Sequence, residues 1–149
     1  MSQQNRPRRS DFGDIPALTT YVGGTAGTAH NEAAFHHLLR IERGRAAKAG
    51  HALTLVLISL PGPSRGTTTL TMPASARIFA ALGLAVREVD LVGWFREGRV
   101  AAAVLVQRSA PTVEIRQQIA IRVRQTLQSH GVHAASAAKV RVLSLSGQH

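Results

Sequence analysis

Between residues 31 and 145 the apolar positions fall into seven blocks, each with its own period. Asn31 suits a helix N-cap, and Phe35, Leu38, Leu39 and Ile41 supply most of one helical face, so a helix is expected to about Lys48, closed by Gly50. Residues 53–60 are almost wholly apolar, which predicts a strand buried on both faces, ended by Pro61-Gly62-Pro63. A Ser/Gly/Thr loop follows. A second helix is expected over about 73–86, with Ile78, Phe79, Leu82 and Leu84 available to pack. Residues 90–96 and 99–107 read as a β-hairpin around Glu97-Gly98. The clearest helix spans 112–130, started by Pro111 and closed by Gly131, with Val113, Ile115, Ile119, Val123 and Leu127 on one stripe. Val140, Val142, Leu143 and Leu145 mark a last strand. The order α-β-α-β-β-α-β predicts an α/β (α+β) domain, a mostly antiparallel central sheet flanked by helices, with one helix-rich layer covering it.

The first 28 residues break the pattern. Arg6-Pro7-Arg8-Arg9 is a basic cluster and Gly23-Gly24-Thr25-Ala26-Gly27-Thr28 reads as a flexible linker, so 1–28 is expected to be a disordered basic and Gly-rich tail before a domain over 29–149. The Gly-rich piece is no phosphate loop, since no lysine precedes its threonine. The longest apolar run, 52–60, is strand-sized, which predicts no membrane span. A polar N-terminus without a hydrophobic segment and the absence of cysteine suggest a cytoplasmic protein.

Charge narrows the partners. Eighteen basic residues oppose eight acidic ones for a formal +10, and only Lys48 and Lys139 are lysines. The planar guanidinium fork suits phosphate and guanine recognition. The compositional alternative is a GC-rich codon bias that replaces lysine by arginine throughout. Either way an anionic partner is favoured over a cationic one.

Arg87-Glu88-Val89-Asp90 stands five residues before Arg96-Glu97-Gly98-Arg99-Val100, inside the hairpin. The first helix runs directly into Leu53-Thr54-Leu55-Val56-Leu57-Ile58. This order and spacing resemble the GGDEF domain of diguanylate cyclases, a relative of the nucleotide-cyclase palm, over about residues 29–146. The resemblance implies a palm-like fold. It also implies that two carboxylates, one ending the first strand of the domain and one in the hairpin turn, should clamp magnesium against a triphosphate. Ser59 and Gly98 occupy those slots, and Arg99 places a cation where the family has an acid. The loop over 61–72 also lacks the Phe-Lys and Asn-Asp residues that would seat guanine. Loss of cyclase activity, with no catalytic residue, metal or cofactor, is the expectation.

What the resemblance leaves is the inhibitory site, which in the family binds a stacked dimer of cyclic di-GMP. Arg87 can donate twice to guanine O6 and N7, and Asp90 can accept from a guanine N1/N2 edge. Arg122 is the best match for the family's assisting helix arginine, with Arg116 and Arg124 as alternatives in register. The expected function is a catalytically inactive cyclic di-GMP receptor or regulatory module. The bland alternative is a solvated surface pair. Register carries the assignment, because Arg8-Arg9-Ser10-Asp11 has the same string in the tail. The tract Asp90-Leu91-Val92-Gly93-Trp94-Phe95 looks like degenerate domains found beside exopolysaccharide glycosyltransferases; packing in the sheet is the simpler account of Trp94.

Two rival classes stay open: a ligand-free dimerisation or docking module, as a homodimer or with a protein partner in polysaccharide synthesis, and a basic protein that binds nucleic acid non-specifically. Six aromatics are too few and too scattered for a base-stacking platform. The seven histidines include adjacent His36 and His37, which point to different sides of a helix, and no cysteine accompanies them, so no metal site is expected.

Overall fold

The computed structural model describes residues 17–22, 25–61, 69–85, 89–132 and 137–145. Nine elements follow in the order β1 (Ala17–Val22), β2 (Thr25–His30), α1 (Glu32–Ala49), β3 (Ala52–Ser59), α2 (Met72–Ala85), β4 (Val89–Arg96), β5 (Val100–Gln107), α3 (Val113–Ser129) and β6 (Lys139–Leu145). The strands form one mixed sheet in the order β1-β2-β4-β5-β3-β6. Every neighbouring pair is antiparallel except β2 with β4, which run parallel and meet at His30 and Gly93.

The caps follow the sequence signals. Asn31 accepts from the Ala34 amide at 2.9 Å through its side chain, and Gly50 ends α1 with φ +73°. Thr112 accepts from the Ile115 amide and opens α3. Thr71, two residues before the proline expected to start α2, accepts from the Ala74 amide, so the helix begins at Met72.

β3 shows why the sheet is covered twice. Leu53, Leu55 and Leu57 face a core built with Phe35 and Leu39 of α1, while Val56 and Ile58 face a core built with α2 and α3. The expected single helix-rich layer is thus corrected to α1 on one face and α2 with α3 on the other. A strand apolar on both sides would otherwise leave one face in water.

The other differences have local causes. The hairpin turn takes three residues, 97–99, so Arg99 belongs to the turn and not to a strand; Gly98 adopts φ +71° and the Arg99 amide donates to the Arg96 carbonyl. Two strands occupy part of the stretch read as a tail, with Val22 opposite Thr25; residues 1–16 lie outside the described residues. Ile41, Leu84, Val113 and Ile115 are exposed, although their spacing fits the buried faces. Only Val123 and Leu127 of α3 are fully buried, because the first turns of the helix stand clear of the core. Among the described residues no helix is long and apolar enough to cross a membrane.

Candidate functional site

Two ends of the sheet carry the residues singled out by sequence. At one end β3 finishes beside the hairpin turn: Ile58 stands opposite Ala101 of β5, one residue from Val100. On the other flank of β3, Ser59 stands opposite Lys139 and Leu57 opposite Arg141. The turn is held in place by the Leu70 amide, which donates to the Gly98 carbonyl at 2.7 Å. Sheet topology therefore brings Ser59 and Gly98, the two positions that the resemblance compares with metal-binding acids, to one end of neighbouring strands. What gathers there is a buried hydroxyl, a glycine, and the exposed cations Arg99 and Lys139.

Two acids at this end, Glu32 and Glu97, make a structural contact. The Glu32 amide donates to Glu97 Oε1 at 2.9 Å, and the Glu97 amide donates to Glu32 Oε1 at 2.7 Å. This reciprocal clasp ties the hairpin turn to the start of α1, where the helix dipole favours negative charge. Sequence reasoning missed it, since two isolated glutamates 65 residues apart carry no motif. Glu97→Ala is expected to lose roughly 0.5–1 kcal/mol, the modest value reflecting solvent exposure. Chemical denaturation should read that loss, with Glu97→Gln retaining part of the clasp through its amide oxygen.

The opposite end holds the entry to β4. Val89 pairs with Leu105 near the end of β5, and α3 begins six residues after Gln107, so the starts of β4 and α3 share this end. Over the eight residues of β4 the two ends are separated by about 24 Å. Asp90 lies in β4, but its side chain, like all of Arg87, lies outside the described residues. Arg122 is exposed midway along α3. Arg116 lies nearer the start of the helix by about 9 Å along its axis and donates to the Pro111 carbonyl. Arg124 is half-buried, and its Nη2 donates to the Ala138 carbonyl at 2.8 Å while Nε, buried, has no acceptor. Arg124 thus joins α3 to β6, and Arg122 is the one of the three arginines whose guanidinium makes no hydrogen bond among the described residues. Any contact of Arg87 or the Asp90 side chain with Arg122 lies outside the described residues.

Trp94 is buried and packs edge-on against Phe79, ring centroids 5.0 Å apart, as the simpler account of that residue expects. His36 shares a hydrogen bond with the Phe95 carbonyl at 2.8 Å and stacks obliquely on its ring. His30, at the junction of β2 and β4, has its imidazole pushed below the usual histidine range by burial. Among the described residues no three His, Asp or Glu side chains gather where they could hold a metal ion. No protein-family model matches the chain, and no curated protein matches it.

Proposed function

We propose that this protein is a non-catalytic GGDEF-like module that binds cyclic di-GMP as a receptor or regulatory domain, in the setting of exopolysaccharide production. The observation that carries the reading is the meeting of β3's end with the β4–β5 turn. A palm-like site needs its two carboxylates on those two elements, and here they are Ser59 and Gly98 with Arg99 next to them. A hydroxyl, a glycine and a guanidinium give no negative charge to hold magnesium against a triphosphate. Binding then falls to the other end of the sheet, where Arg87 and Asp90 would grip guanine edges, Arg122 would assist, and the chain's net positive charge would favour the ligand's two phosphates.

Titration calorimetry with cyclic di-GMP tests this directly. Saturable heat is expected at tens of micromolar ligand or below, weakened about tenfold or more by Arg87→Ala. Absence of heat, or a variant that binds equally well, removes the receptor reading. Incubation with GTP and magnesium or manganese is expected to give no cyclic product, and turnover would remove the non-catalytic one. The docking reading rests on a different observation, the exposed apolar positions of α3 beside the edge of the sheet.

A further inference from the structure

Among the described residues β6 pairs only with β3 and forms an edge of the sheet. Such an edge presents unpaired amides and carbonyls along its length. Beside it, on the α3 face, lies a shallow open depression lined by Val113, Arg116, Gln117, Ala120 and Val142. Val113, Gln117 and Ala120 recur at helical spacing along α3, and Val113 is 54% exposed. A wall that is apolar at Val113, Ala120 and Val142, with Arg116 and Gln117 among them, therefore meets an open strand edge in one groove.

The two faces of β6 differ. Val140 and Val142 pack toward the core under α2 and α3, while Leu143 and Leu145 pack toward the core under α1. Strand alternation places exposed Lys139 and Arg141 on the α1 face with the leucines. Charge across the region is one-sided: Arg116, Arg122, Arg124, Lys139 and Arg141 oppose the single acid Glu114 on α3 and β6.

We infer that the β6 edge accepts a strand from an acidic protein partner, one that alternates acidic and β-branched residues. Added alongside β6, such a strand turns its apolar residues to the α3 groove, against Val142 and Val113, and its carboxylates to the side of Lys139 and Arg141. The backbone ladder gives affinity and the alternation gives specificity. The same two cations disfavour a second copy of this chain, because a formal +10 meets another +10 and antiparallel pairing centred on Val140 sets Lys139 against Arg141.

The test uses the whole chain and a fluorescent seven-residue probe, Glu-Val-Glu-Val-Glu-Val-Glu, followed by anisotropy. Saturable binding is expected. It should weaken about a hundredfold when the alternate amides of the probe that face β6 are N-methylated, since about three ladder bonds are lost and each is worth roughly fivefold. A probe of the same composition in block order, Glu-Glu-Val-Val-Val-Glu-Glu, should bind several-fold more weakly, because it cannot keep acid and apolar faces apart. Arg141→Glu should weaken binding far more than Lys48→Glu, a variant with the same change of net charge on α1. Equal binding of the methylated or block probe overturns the proposal. So does single-stranded DNA of equal charge binding more tightly than the probe, with both variants weakening it alike, which identifies a diffuse nucleic-acid surface.

Discussion

Gly93→Val should destabilise the protein by roughly 2–3 kcal/mol and lower Tm by roughly 6–12 °C, although valine is the better strand former. A Cβ at residue 93 would stand 2.5 Å from the His30 carbonyl oxygen, 3.0 Å from the His30 nitrogen and 3.0 Å from Phe35 Cδ1. Two of those neighbours are backbone, so nothing flexible can give way. The collision also falls where β2 meets β4, the one place where their registers pair. Lost stability should therefore come with lost hydrogen-exchange protection in β1 and β2. Gly44→Ala is the contrast. A Cβ there meets nothing within 4 Å in the interior of α1, and a gain of up to about 1 kcal/mol is expected. A Gly93→Val protein as stable as the wild type would mean that β2 does not lie against β4. The glycine that made the β4 tract look like exopolysaccharide-associated domains thus has a packing reason of its own.

That junction shows where sequence reading stops. The caps of α1, the hairpin and the double-sided burial of β3 are all written in local patterns, and each is present in the structure. β2 was hidden by composition, because Gly23-Gly24-Thr25-Ala26-Gly27-Thr28 has little hydrophobic content and reads as linker, and β1 fell in the stretch read as tail. The usable signal was Val22-Gly23-Gly24-Thr25, a two-glycine connection between β-formers. Periodicity also tells which face of a helix is apolar, not how much sheet lies under it, which is why Val113, Ile115 and Leu84 point to solvent. The candidate site divides the same way. Ser59 and Gly98 could be placed together through a resemblance, whereas Lys139 beside Ser59 depends on strand order, and the Glu32–Glu97 clasp depends on where a helix starts relative to a turn.

Phe79→Ala should be the most damaging single truncation, at about 3–5 kcal/mol of a total on the order of 5–15. Phe79 is fully buried in the core between α2 and the sheet, and its ring meets Trp94 edge-to-face at an interplanar angle of 85°. Truncation removes that contact and leaves a cavity that Ile78, Leu82 and the alanines of β5 cannot refill without moving the helix. Trp94 is the only tryptophan, so its emission reports the event without a label. A red shift is expected in Phe79→Ala, with a much smaller one in Phe79→Leu, which keeps most of the volume. The consequence reaches the proposed ligand site, because α2 leads into Arg87 and β4 carries Asp90. Phe79 and Trp94 join those two elements, and loosening them should weaken cyclic di-GMP binding in Phe79→Ala while Phe79→Leu retains it. Unchanged Tm and unchanged Trp94 emission in Phe79→Ala would show that α2 does not pack on β4, and the geometry offered for the guanine clamp would fall with it.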